Sequence, residues 1–94
     1  YNIIKIMIIN IKDLKNKITY RANYRGTKEM DKLLGSFTKK YINVLKDDEL
    51  SLLCDLLDFE DESLYKLNQG LNLSIKIKNN KVVELFKNYI YVNE

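Results

Sequence analysis

The sequence predicts an all-α protein, a small bundle of about five helices in a single domain. Three observations predict this fold class. Apolar side chains recur at intervals of three or four residues over several segments, which is the spacing of helices that bury one face. Gly26 and Gly70 follow two of these segments, and glycine is common just after a helix. A chain of 94 residues also has room for one modest hydrophobic core and no more than one domain.

The first eleven residues are rich in isoleucine. This run is far shorter than the ~20 apolar residues that span a bilayer, and it lacks the small-residue cleavage site of a secretory signal. We expect residues 1–11 to form an apolar tail, partly disordered or loosely docked, and residues 12–94 to form the single helical domain. An added strand and an extension of the first helix are the alternatives for the tail.

The first two predicted helices meet at Gly26. The first runs from Lys12 to Tyr24, with one face formed by Leu14, Ile18, Ala22 and Tyr24. Thr27 is suited to cap the second helix, because its hydroxyl can satisfy an amide of the first turn. The apolar stripe of this second helix comprises Met30, Leu33, Leu34, Phe37, Tyr41 and Ile42. Gly35 interrupts the stripe, and either the close approach of another helix or a bend would explain it.

The second half of the chain predicts three shorter helices. Asp47 or Asp48 is expected to cap the third, whose buried face comprises Leu50, Leu53, Cys54, Leu56 and Leu57. Residues 58–62 form an acidic connection, and residues 63–67 form a short fourth helix. Residues 71–78 alternate with period two like a strand, but no clear pairing partner exists, so we predict an extended connector. The last helix is predicted from Asn80 to Tyr91, with an inward face of Val82, Val83, Phe86, Tyr89 and Ile90.

The residue types present exclude several kinds of site. The chain has no histidine and a single cysteine, Cys54, which excludes most zinc sites and every Ser/His or Cys/His nucleophilic arrangement. The three glycines are too scattered for a phosphate-binding loop. We therefore expect no metal site, no stably bound cofactor, no catalytic residues and no independent enzyme activity. Cys54 lies in an apolar run and is expected to be a buried structural thiol.

The net charge of +3 hides a strong asymmetry between the two halves of the chain. Residues 1–46 carry eleven basic and three acidic side chains, a charge of +8. Residues 47–94 carry five lysines and ten acidic side chains, a charge of −5. A dipolar surface of this kind can steer one face of a protein toward an oppositely charged partner, although solvated charged faces are the simpler explanation.

Arg25 and Glu29 lie four residues apart with Gly26 between them. In a continuous helix they would form an ordinary surface ion pair worth ~0.3–0.5 kcal/mol. If Gly26 breaks the helix, the two side chains can converge on one exposed corner. There the guanidinium group and the carboxylate could both face a partner, and the absence of a side chain at Gly26 would let another backbone approach closely.

The longer string around these residues is more specific. From Tyr20 to Phe37 it has the form Y-R-A-x-x-R-G-x-x-E-x-D-x-x-L-G-x-F. This string resembles the succinate dehydrogenase assembly factor family, which comprises the bacterial flavinylation factor and its mitochondrial counterpart. The resemblance covers roughly residues 17 to 67 and continues through the acidic residues 47–49 and the segment 60–65.

The resemblance implies a function and a set of site residues. Members of this family bind the flavoprotein subunit of succinate dehydrogenase and promote covalent attachment of FAD to a histidine of that subunit. Fumarate reductase flavoproteins are related clients, and FAD is the cofactor of the client. By the same resemblance, Arg25, Gly26 and Glu29 bind the partner, with Tyr20, Arg21 and Asp31 flanking them. Whether Glu29 has a chemical role is left open.

Two other kinds of function remain as alternatives. The basic first helix, with Tyr20 and Tyr24, could track phosphates and stack on bases in a nucleic-acid-binding module, although the second half of the chain is acidic. A helical interaction domain with another client is the second alternative. We expect no nucleic acid and no integral membrane segment, a monomer, and, because no targeting signal is apparent, a location in the bacterial cytoplasm.

Overall fold

The computed structural model describes residues 3–92, with side chains from residue 10 onward. It contains five α-helices: α1 (Ile3–Asn23), α2 (Lys28–Tyr41), α3 (Asp47–Leu56), α4 (Asp61–Gln69) and α5 (Lys81–Lys87). No strand occurs within these described residues, so the predicted all-α fold class is confirmed. No helix in this part of the chain is both long enough and apolar enough to cross a membrane.

The N-terminal segment continues the first helix. Helix α1 begins at Ile3, so the backbone of residues 3–11 is helical, as one alternative for the tail supposed. Residues 1 and 2 of the predicted tail and residues 93 and 94 of the predicted domain lie outside the described residues. The division into a tail and a domain that begins at residue 12 stays a prediction.

The hydrophobic core lies where all five helices meet. Its centre is Phe37 of α2, whose ring centroid lies 5.1 Å from that of Phe86 and 5.3 Å from that of Tyr89. Edge-on aromatic pairs at such distances are favourable beyond the area that they bury. Besides Phe37 and Phe86, the buried apolar side chains among the described residues are Ile18, Ala22, Met30, Leu33, Leu34, Leu45, Leu50, Leu53, Leu56, Leu57, Leu64, Leu67, Val82 and Val83.

Gly35 lies on the face of α2 that meets the C-terminal end of α1. A Cβ atom at this position would lie only 2.5 Å from Oδ1 of Asn23 and 4.0 Å from the carbonyl oxygen of Ala22. Helix α2 continues through Gly35 from Lys28 to Tyr41. Of the two predicted explanations, the close approach of another helix is therefore the correct one.

The helix ends show which capping predictions hold. Thr27 caps α2, and its Oγ1 accepts a hydrogen bond from the amide of Met30 at 3.3 Å, as predicted. The predicted cap of α3 is wrong, because Asp47 and Asp48 lie inside its first turn. The side chain of Glu49 instead reaches back and accepts a hydrogen bond from the amide of Lys46 at 2.8 Å, while the acidic residues of the first turn suit the positive end of the helix dipole.

The C-terminal part differs most from the prediction. Helix α5 ends at Lys87 rather than Tyr91, and Ile90, predicted to face inward, is exposed. The side-chain amide of Asn68 explains this early end. Its Nδ2 donates to the carbonyl oxygens of Phe86 at 2.8 Å and Tyr89 at 2.9 Å, so these carbonyls have partners without further helix.

Two other segments are close to their predictions. Helix α4 is longer than predicted at both ends: it begins with Asp61 and Glu62 and continues to Gln69. Gly70, with φ +71°, ends α4 in the left-handed conformation that glycine favours, as predicted. Residues 71–78 form neither helix nor strand, which confirms the predicted connector between α4 and α5.

Candidate functional site

The turn between α1 and α2 is built around Gly26. This residue has φ +116°, a conformation that residues with a side chain rarely adopt. No atom lies within 4 Å of the place where its Cβ would be. The backbone conformation therefore requires glycine here, and the space beside it is open. We call the segment from Tyr24 to Asp31 the corner.

Asp31 fixes the backbone of the corner from inside. Its carboxylate accepts a hydrogen bond from the backbone amide of Arg25. The amide of Asp31 in turn donates to the carbonyl oxygen of Thr27 at 2.9 Å, which begins the hydrogen bonding of α2. Asp31 therefore links the two sides of the turn, in addition to its electrostatically favourable place near the start of a helix.

Arg25 ties the corner to the loop between α3 and α4. Its Nε donates to Oδ1 of Asp61 at 2.8 Å, and its two terminal nitrogens donate to the carbonyl oxygens of Leu57 and Phe59, each at 2.8 Å. The Arg25 side chain is only 11% exposed. The fixed fork of the guanidinium group matches these acceptors, so in this conformation the donors expected to face a partner are used within the chain.

Arg21 makes a second connection to the same loop. Its guanidinium group pairs with the carboxylate of Asp58 and donates to the carbonyl oxygen of Leu57 at 3.2 Å. The hydrogen bond from Arg21 to Asp58 raises the pKa of the guanidinium group. Arg21 also lies 3.7 Å from the sulfur of Cys54, which is half-buried rather than fully buried as predicted. We call the pairs Arg21–Asp58 and Arg25–Asp61 the arginine clamp.

Glu29 and Tyr20 face solvent. Glu29 forms no ion pair with any residue whose side chain the structure describes. Tyr20 and Tyr24 are both exposed, and their ring centroids lie 4.6 Å apart. Tyr24, predicted to lie on the buried face of the first helix, instead follows the end of α1 and points away from the core. The outer surface around the turn thus carries the carboxylate of Glu29, the exposed side chain of Lys28 and the adjacent phenol rings of Tyr20 and Tyr24.

The six predicted partner-binding residues therefore fall into two groups. Arg21, Arg25 and Asp31 are engaged in contacts within the chain. Tyr20, Gly26 and Glu29 are exposed. That these residues bind a partner stays a prediction.

Sequence reasoning missed the acidic half of the arginine clamp. The run 58–62 has the composition of a connection, but its charge is opposite to that of Arg21 and Arg25, and this opposition is the signal that the sequence offers. The carbonyl oxygens of Leu57 and Phe59 carried no signal in the sequence. No group of three potential metal-binding side chains comes together within the described part of the chain.

Together, the fold and the site define a small all-α protein with an exposed corner that the ion pairs of the arginine clamp hold from behind. A family model described as flavinator of succinate dehydrogenase matches residues 16–90, well over half of the chain. The chain belongs to this family, and the resemblance found in the sequence is confirmed. No curated protein and no solved structure gives a significant match.

Proposed function

We propose that this protein binds the flavoprotein subunit of succinate dehydrogenase before the complex is complete and promotes covalent attachment of FAD to a histidine of that subunit. The observation that carries the proposal is the family match over residues 16–90. This range includes the corner, the arginine clamp and all residues of α2 to α5. The flavoprotein of fumarate reductase is a related client of the same chemistry.

In the proposed interface, the clamp and the corner have different tasks. Arg25 is a positioning residue: it holds the corner against the α3–α4 loop through its three hydrogen bonds. Glu29 and Tyr20 make the contacts, since their side chains are exposed. Gly26 leaves open space beside the backbone, so a segment of the client can approach it closely.

The proposed mechanism is conformational. By holding the client in one state, the protein aligns the client's FAD with the client's histidine, and such alignment can remove several kcal/mol from a barrier. The protein acts as an assembly factor rather than as an enzyme, it holds no FAD of its own, and no residue of this chain is assigned a bond-forming step. We propose that it works as a monomer in the bacterial cytoplasm.

The arginine clamp also favours this proposal over nucleic-acid binding. Arg21 and Arg25 directly follow Tyr20 and Tyr24 in the sequence, and both already pair with carboxylates of the same chain. Phosphate binding depends on cations that are free to replace counterions. The positive charge of the first half of the chain is thus partly neutralised beside the tyrosines that would stack on bases.

The test uses purified apo flavoprotein subunit and FAD, with covalent flavin measured by fluorescence in a denaturing gel. We expect wild type to accelerate flavinylation, and Glu29→Ala to abolish the acceleration while circular dichroism shows an unchanged helical fold. Gly26→Arg, which also strains the turn at φ +116°, should abolish the acceleration as well. Glu84→Ala is the matched control, because Glu84 is an exposed acid on α5, and it should act like wild type. If wild type neither binds the flavoprotein nor accelerates the reaction, the proposal is wrong.

A further inference from the structure

A groove lies beside the corner, between α2, α4 and the segment that follows α5. Its volume is about 410 Å³, within the range of pockets that bind small molecules or single side chains. Met30 and Leu33, both buried, form part of its lining from α2. Tyr65 of α4 and Ile90 of the segment after α5 contribute to the rest of the lining. We call it the α2–α4 groove.

The groove is mostly apolar and open to solvent, with Asn68 and Gln69 among its polar lining residues. Ile90 is 80% exposed, and Tyr65 is also among the exposed large apolar side chains. Single exposed apolar side chains are ordinary on protein surfaces, but a contiguous exposed apolar surface in a concave site is typical of binding sites. An apolar occupant of the groove would therefore remove the exposed apolar surface of these two side chains from water.

The wall that carries Ile90 is fixed in place. The side-chain amide of Asn68 donates to the carbonyl oxygen of Tyr89 at 2.9 Å, and the hydroxyl of Tyr89 donates to that of Ser36 at 2.8 Å. The segment after α5 is thus attached to both α4 and α2. A groove that exists before binding loses less conformational entropy when its occupant arrives.

Glu29 gives the groove a charge. It lines the groove, whereas its neighbours on α2, Lys28 and Lys32, do not. Its carboxylate is exposed and has no ion-pair partner among the described side chains. An apolar groove with one carboxylate in its wall is complementary to a bulky apolar side chain that lies close to a cation.

We infer that the α2–α4 groove binds a segment of the flavoprotein client that carries a bulky apolar side chain within a few residues of an arginine or lysine. The apolar side chain packs against Tyr65 and Ile90, and the cation pairs with Glu29. This inference rests on the proposed function and deepens it, because the groove extends the corner through their shared residue Glu29. It adds Tyr65 and Ile90 to the interface.

Affinity for the apo flavoprotein subunit gives the first test. Ile90→Asp and Tyr65→Ala are expected to raise the dissociation constant at least about tenfold, as the loss of a central apolar contact does. Val44→Asp is the matched control, because Val44 is 72% exposed in the loop after α2 and does not line the groove. It should bind like wild type. Equal affinities for all three variants and wild type would overturn the inference.

The second test identifies the occupant. Benzoylphenylalanine replaces Ile90, the protein is mixed with the apo flavoprotein, and the cross-linked peptides are identified by mass spectrometry after irradiation. We expect a client peptide with a bulky apolar residue close to an arginine or lysine. A cross-link to a second copy of this chain, or to a client segment without a nearby cation, would overturn the inference.

The two proposals can fail separately. If wild type accelerates flavinylation while position 90 does not cross-link to the client, the groove is wrong and the proposed function stands. If wild type forms no complex with the flavoprotein, both fail together.

Discussion

Arg21, near the end of α1, and Arg25, in the turn after it, both reach the segment between α3 and the start of α4, yet their ion pairs lie in different surroundings. Asp58 is 63% exposed, whereas Asp61 is 31% exposed and pairs with an arginine that is almost buried. Water and salt screen an exposed ion pair far more than a covered one. The two aspartates thus allow the stabilising effect of an arginine–aspartate ion pair to be compared at a more exposed and a less exposed position.

We predict that Asp61→Asn lowers the free energy of unfolding by about 1–3 kcal/mol, because it weakens a covered, charge-assisted hydrogen bond. Asp58→Asn should cost less than about 1 kcal/mol, as exposed ion pairs do. Urea denaturation at neutral pH measures both values. An equal or larger loss for Asp58→Asn would contradict the assignment of Arg25–Asp61 as the stronger half of the arginine clamp.

At the scale of the elements, the crossing of α1 and α2 depends on Gly35 and Asn23. Glycine in a helix costs about 1 kcal/mol relative to alanine, so its presence here reflects the space that Asn23 occupies. The Asn23 side chain is held in turn by a hydrogen bond from its Nδ2 to the carbonyl oxygen of Thr19 at 2.7 Å. The helix end that leads into the corner is therefore packed directly on α2.

We predict that Gly35→Ala has a more favourable effect on stability when Asn23 is already alanine. In wild type, the new methyl group must displace the Asn23 side chain, and this offsets the gain in helix propensity. In the Asn23→Ala background, the substitution should stabilise by about 0.5–1 kcal/mol. A double-mutant cycle by urea denaturation measures the coupling. Identical effects in the two backgrounds would show that the contact has no energetic consequence.

Glu49 connects the start of α3 with the start of α5. The backbone amide of Lys46 and then the ammonium group of Lys81, 2.8 Å away, lower the pKa of the Glu49 carboxyl below its usual 4.5. A carboxyl whose pKa falls on folding stabilises the folded state above its unfolded pKa. This contribution is complete above about pH 4.5 and is lost as the pH falls through the lower pKa of the folded state.

Glu49→Gln should therefore have a lower melting temperature than wild type at neutral pH, with the difference shrinking as the pH falls below about 4.5. Lys81→Gln removes only the second cause and should show a smaller deficit at neutral pH. The measurement is thermal unfolding followed by circular dichroism between roughly pH 3 and 7, because carboxyl groups titrate in the lower part of this range. A Glu49→Gln deficit that persists unchanged at the lowest pH would contradict the pKa assignment.

At the scale of the whole molecule, the charge asymmetry of the sequence is partly an internal arrangement. The positive first half and the negative second half meet in the arginine clamp, where Arg21 and Arg25 pair with Asp58 and Asp61. Another ion pair between residues far apart in the sequence, Lys81–Glu49, lies within the second half. At the corner, Glu29 forms no ion pair with any side chain that the structure describes, and it is exposed beside Lys28.

The distance along the sequence between interacting residues explains which features the sequence could predict. The helical stripes, the cap at Thr27 and the stop at Gly70 were predictable because they depend on residues three or four apart. The early end of α5 and the clamp were not, because Asn68 reaches Phe86 and Arg25 reaches Asp61 across long stretches of chain. Local spacing carries no information about such pairings. The exposed part of the corner was predicted through the motif, and its internal support was not.

The most direct test of the central claim is the rate of covalent FAD attachment to the apo flavoprotein subunit, measured against the concentration of this protein. A protein that acts by holding its client should raise the rate along a saturating curve. We predict that the half-maximal concentration equals the dissociation constant of the complex measured separately. A rate that does not change with the concentration of this protein would contradict the account.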